Sequence, residues 1–115
     1  MFKFKKHIKF ELRGLFYNQI EYYEKFLNVK VNRVQFRDTV YKWGSCSSLR
    51  NVTFSKNLRY LLDRLVAYIV YHELVHIIVL AHNDKFYDIM RREFPDYEKC
   101  DEKLKEYHYL IVNDF

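Results

Sequence analysis

The sequence predicts an α+β fold, and three changes of hydrophobic period predict it. Apolar residues recur at three- and four-residue steps through about residue 27, alternate in twos from Val29, and return to helical spacing after Asp63. With only two glycines and one proline, and no low-complexity stretch, nothing divides the 115 residues, so a single domain over 1–115 is expected. The elements are an N-terminal helix, a small antiparallel three-stranded sheet, a buried helix and two C-terminal helices.

Ile8, Leu12, Leu15, Phe16, Ile20, Tyr23 and Phe26 trace one amphipathic helix over roughly 7–27, with Lys9, Arg13, Glu21 and Glu24 outward. Gly14 weakens this helix without ending it. Its expected role is to cover the sheet. Val29, Val31, Val34 and Phe36 then alternate with polar residues, which is strand spacing. Asp38-Thr39 reads as a turn, Val40 to Trp43 as a second extended piece, and Gly44 to Ser48 as a bend of small polar residues. Asn51 to Ser55 is the third strand. Three strands so close in sequence predict an antiparallel meander.

Asp63 is placed to cap the next helix through its carboxylate. From Arg64 to about Leu80 that helix is apolar nearly all round, so it must be buried on most sides. Its length invites a membrane reading, but His72, Glu73 and His76 in its middle would be costly in lipid, and no membrane association is expected. His82-Asn83-Asp84 is turn-like. Phe86, Ile89, Met90 and Phe94 mark a short helix stopped before Pro95. A last helix runs from about Tyr97 to Val112, with Leu104, Tyr107, His108 and Ile111 on one face.

Tyr71-His72-Glu73-Leu74-Val75-His76 is the only stretch where an apolar run carries residues that can do chemistry. His72 and His76, four apart, share one face of a helix and can hold one Zn²⁺. Glu73 is placed to reach a metal-bound water as general base. His82, six residues beyond His76, can return from the loop as third ligand. Three ligands leave a coordination position open, as hydrolysis requires and a structural zinc site does not.

Half the residues are hydrophobic and 19% aromatic, which excludes a disordered chain. Cys46 and Cys100 make no disulfide framework, and the basic start lacks an apolar signal region, so a cytoplasmic setting is expected. Cys46 reads as a small buried thiol, because a fourth protein ligand would close the site. His7 and His108 are isolated. The net charge of +5 is uneven: residues 1–50 hold 11 Lys/Arg against 4 Asp/Glu, and residues 51–115 hold 9 against 11. No basic run is long or arginine-rich, so nucleic acid is a possible partner but not the favoured one.

Lys42-Trp43-Gly44-Ser45-Cys46-Ser47-Ser48, followed after an interval of 23 residues by His72-Glu73-Leu74-Val75-His76, then His82, Phe86-Tyr87 and Pro95-Asp96-Tyr97, resembles the YgjP-like family of zincin metallopeptidases, relatives of the SprT and WLM groups. The resemblance covers roughly residues 30–100. It implies a zincin-like fold, His72, His76 and His82 as zinc ligands, and Glu73 as the catalytic glutamate. The chain departs from the family's usual residues at Lys42, Ala81 and Tyr87, lacks a glycine near Arg50, and lacks prolines at the start of the active helix. The glycine that metzincins carry between their second and third histidines would fall at Val79, which argues against that group.

The expected activity is hydrolysis of a peptide bond in a peptide or protein substrate, which could add as a strand to the sheet edge. Tyr97 and Tyr87 are candidates for a second oxyanion donor, and Asp84 and Asp88 for acidic partners of the histidines. Two rival readings are hydrolysis of another bond, such as a nucleotide phosphoanhydride, and a DNA-associated protease of the SprT/WLM kind.

Overall fold

The computed structural model describes residues 9–114. Helix α1 (Lys9–Leu27) is followed by strands β1 (Arg33–Arg37), β2 (Gly44–Cys46) and β3 (Asn51–Ser55), a 3-10 helix (Lys56–Tyr60), and helices α2 (Asp63–Ile78), α3 (Asp84–Glu93) and α4 (Tyr97–Asp114). Among the described residues no helix is long and apolar enough to cross a membrane. The expectations for His7, Ile8 and the side chains of Lys9, Leu12, Arg13 and Leu15 lie outside the described residues.

The fold class is the α+β expected, but the sheet is mixed rather than an antiparallel meander. Its order is β1-β3-β2. β1 pairs parallel with β3, and β2 pairs antiparallel with it. The physical reason lies in β3, whose Val52 and Phe54 are both fully buried, so the most apolar strand takes the centre. The chain from β1 must therefore cross the end of β3 to reach β2. Ser55 Oγ and Asn57 Nδ2 donate to the Thr39 carbonyl at 2.6 and 2.9 Å and hold that crossing in place. The strand expected over Val40–Trp43 begins only at Gly44. Arg50 closes the β2–β3 turn at φ 63°, with its N–H on the Ser47 carbonyl at 3.0 Å.

Helix α1 ends at Asn28, which takes a left-handed φ of 55°. Its Phe16 packs on Phe36 and Phe54, at ring centroids of 5.2 and 5.1 Å, and Tyr23 meets Tyr71 of α2 at 4.9 Å. The helix thus covers the sheet with its first half and α2 with its second.

Helix α2 is buried on most sides, as its all-round apolar sequence requires. Asp63 is not its cap. Leu62 occupies that position with no side-chain bond, and Asp63 lies in the first turn, where a negative charge still suits the helix dipole. Three bonds fix α2 to its neighbours: Tyr71 Oη to the Ile89 carbonyl at 2.6 Å, Tyr68 Oη to Asp101 at 2.6 Å, and Arg64 to Asp96 at 2.7 Å. The helix stops at Ile78, two residues earlier than expected. Asn83 caps α3 by accepting the Phe86 N–H at 3.1 Å, so the expected turn at 82–84 is also a helix start.

Candidate metal centre

The helical spacing of His72 and His76 does what four residues predict: their Nε2 atoms lie 3.2 Å apart. His76 donates Nδ1–H to the Val79 carbonyl at 3.0 Å, which leaves Nε2 with its lone pair toward His72. That carbonyl is available because α2 has ended, so the helix stop and the tautomer share one cause. His82, on the loop before α3, completes the set. One ligand atom from each of the three rings lies within 4.8 Å of the others.

Phe86 forms the floor. It is fully buried, stacks on His76 at 4.6 Å, and meets His72 and His82 edge-on at 5.0 and 4.9 Å. Exposure rises from buried His76 through half-buried His72 to exposed His82, so the cluster opens to solvent on the side of the loop.

Burial pushes the His72 imidazole down to about 3, with His76 and His82 adding to the effect. Burial also lowers His76, opposed by its bond to Val79. Both rings are therefore neutral near neutral pH and can give lone pairs to a cation. Two nitrogens on a tetrahedral ion at about 2.0–2.1 Å stand roughly 3.3 Å apart, so the His72–His76 spacing fits a zinc-sized site.

Glu73, next to His72 on α2, lies against β2 at Gly44 and is 6% exposed. A Cβ on Gly44 would lie 3.1 Å from Glu73 Cγ and 3.2 Å from Oε2, so a side chain here would press the glutamate by a few tenths of an ångström and glycine avoids that crowding. Burial pushes the Glu73 carboxyl up to about 8, with the Lys42 charge pulling against it. Cys46, two residues along the same face of β2, is half-buried, and burial and Glu73 push its thiol up to about 11. A thiol held protonated is a poor nucleophile, and among the described residues Cys46 does not join the three-histidine cluster.

The remaining expected residues are placed differently. The His76 partner is a main-chain carbonyl rather than an acid, and Asp88 pairs with Arg91 at 3.0 Å. Tyr97 packs tilted against Tyr87 with ring centroids 5.2 Å apart, and takes an Arg91 N–H at 3.5 Å. His108 is tied to the Val40 carbonyl and meets Trp43 at 6.4 Å. Sequence reasoning missed Val79 and the floor role of Phe86. The Asn-x-x-Phe spacing from the cap, which brings Phe86 back under the loop, is the signal that could have found the second.

A buried helix carrying two histidines, and a loop returning a third, make a candidate metal centre within an α+β domain of zincin-like architecture. The YgjP-like metallopeptidase domain matches residues 3–107, and the chain belongs to that family. No curated protein matches significantly. Two archaeal crystal structures are similar in fold. The metallopeptidase zymogen abylysin of Pyrococcus abyssi is 18% identical with a TM-score of 0.70, covering 77% of this chain and 90% of that one. The metallopeptidase zymogen jannalysin of Methanocaldococcus jannaschii is 19% identical with a TM-score of 0.71, covering 79% and 94%.

Proposed function

We propose that this chain is a zinc-dependent peptidase of one catalytic domain, with His72, His76 and His82 as metal ligands and Glu73 as general base. The convergence of three imidazoles, two of them with Nε2 atoms 3.2 Å apart, carries the reading. An all-nitrogen set of three suits zinc with one open position. When bound, the ion supplies Lewis acidity toward a water and toward the scissile carbonyl. The residues do the rest. His76 is locked in one tautomer by Val79, and the Phe86 floor sets the rings. Glu73, whose burial raises its proton affinity, takes the proton of the attacking water and returns it to the leaving amine.

The free edge of β2 is the place for substrate, since β3 occupies its other side. Free Cys46 and Cys100 suit a reducing cytoplasm. Two measurements test the proposal: metal content by mass spectrometry on wild type and His72→Ala, and hydrolysis of unstructured polypeptide by wild type and Glu73→Gln. Stoichiometric zinc lost in the first variant, with hydrolysis lost in the second, is expected. A wild type that holds no transition metal, or a Glu73→Gln protein as active as wild type, would sink it.

A further inference from the structure

Strand alternation places Gly44 and Cys46 toward α2, together with their partners Phe54 and Val52. Ser45, Thr53, Ser55 and Arg37 face the opposite side of the sheet. On that side lies a cavity of about 290 Å³ lined by Arg37, Thr39, Lys42, Gly44, Ser45, Thr53 and Ser55. Two cations and four hydroxyl-bearing residues line it, and no carboxylate does. Neither Arg37 nor Lys42 enters an ion pair among the described residues, and the hydroxyls of Ser45 and Thr53 make no hydrogen bond there. The cavity adjoins the candidate centre through two of its residues. Gly44 lies against Glu73, and the Lys42 charge reaches that same carboxyl.

We propose that this cavity is a carboxylate subsite, in which Arg37, Lys42 and the Ser45 and Thr53 hydroxyls hold an acidic group of the substrate. A chain laid along the free edge of β2 sends successive side chains to opposite faces. The residue facing α2 lies by Glu73, and its neighbour faces the cavity. The carboxylate is therefore an Asp or Glu side chain beside the scissile position, or the C-terminal carboxylate of a chain ending there. Guanidinium and ammonium donors hold a carboxylate more strongly than a neutral amide, because both partners of each bond are then ionised. The nature of the ligand rests on the peptidase reading; the charge preference rests on the cavity alone.

The test is binding of short peptide pools to the full chain, zinc-loaded and carrying Glu73→Gln to prevent turnover. One pool has a fixed glutamate with blocked termini, a second has glutamine in its place, and a third is the glutamine pool with a free C-terminal carboxylate. The first or third pool is expected to bind about tenfold more tightly than the second. Whichever does identifies the source of the carboxylate. Arg37→Ala with Lys42→Ala should abolish the preference, and Lys42→Glu should shift it toward a lysine pool. Both side chains are exposed, so melting temperature confirms that the variants fold. Equal binding of all pools overturns the inference. So does salt-sensitive binding of a single-stranded oligonucleotide through Arg37 and Lys42 without discrimination among the pools. A carboxylate preference that persists in a chain whose wild type cleaves nothing would remove the peptidase reading and leave the subsite standing.

Discussion

Gly44 and Glu73 meet where β2 passes over α2, and a Cβ on the glycine would lie 3.1 Å from the Glu73 Cγ. The same Cβ would lie 3.1 Å from the Thr53 carbonyl oxygen, which is main chain and cannot swing away. This contact joins the Trp-Gly-Ser-Cys segment to the histidine motif, and it explains why a residue without a side chain stands at that point of the strand.

Gly44→Ala is therefore expected to move either the strand or the glutamate. Overpacking of this kind costs about 1–3 kcal/mol. Because Glu73 is the more mobile neighbour, hydrolysis should fall further than stability does. Thermal unfolding and peptidase rates on the same preparation check this. An alanine variant with wild-type activity would show that Glu73 does not need its position under β2.

His82→Ala removes the proposed ligand that is most exposed. His82 is exposed, so the metal-stripped variant should unfold within about 0.5 kcal/mol of wild type. Zinc affinity should fall by more than the roughly 10–100-fold that loss of a ligand's outer partner costs. Titration against a chelating dye, alongside unfolding in chelator, separates the two effects. Zinc affinity equal to wild type would show that two histidines suffice.

Arg50 holds a left-handed backbone at φ 63°, which costs a residue with a Cβ about 1–2 kcal/mol. Arg50→Gly relieves that strain and loses part of the gain to the freer unfolded chain. The net expectation is stabilisation of about 0.5–1 kcal/mol, seen as a higher urea midpoint at unchanged slope. Its main-chain bonds to Ser47 and Asn32, at 3.0 and 2.9 Å, need no side chain and should survive. A lower midpoint would mean that the arginine side chain contributes more than the strain removes.

The helices and the facing of His72 and His76 were legible because each rests on local periodicity. Residues 72 and 76 share a face of any α-helix, and Pro95 stops any helix that reaches it. The sheet was not, because strand order is decided by burial competition: Val52 and Phe54 take the centre, and the shorter β2 is left at the edge. Asp63 misled because the chain turns at Leu62 instead, so a good capping residue landed one position inside the helix. The carbonyl that orients His76 carried no sequence signal, since every residue has one. What made it available was the end of α2 at Ile78.

The stability of the metal-stripped protein should bend twice with pH, because His72 and Glu73 are shifted in opposite senses. The His72 pKa is depressed from 6.5 to about 3, so the unfolded chain binds more protons between those values. Its contribution is present above 6.5 and is lost as pH falls toward 3. The Glu73 pKa is raised from 4.5 to about 8, so here the native chain binds more protons. That contribution is present below 4.5 and is lost as pH rises through 8. Between 4.5 and 6.5 the two slopes oppose each other, and above 6.5 only the Glu73 slope remains. Chemical denaturation in chelator across this range should show the fall above 6.5 in wild type and its absence in Glu73→Gln. His72→Gln should instead reduce the acid-side loss, with His76 retaining part of it. Saturating zinc should flatten the alkaline side in wild type, because a nearby cation favours the ionised glutamate that burial alone disfavours. A Glu73→Gln protein that keeps the alkaline slope would show that the buried carboxyl is not its source.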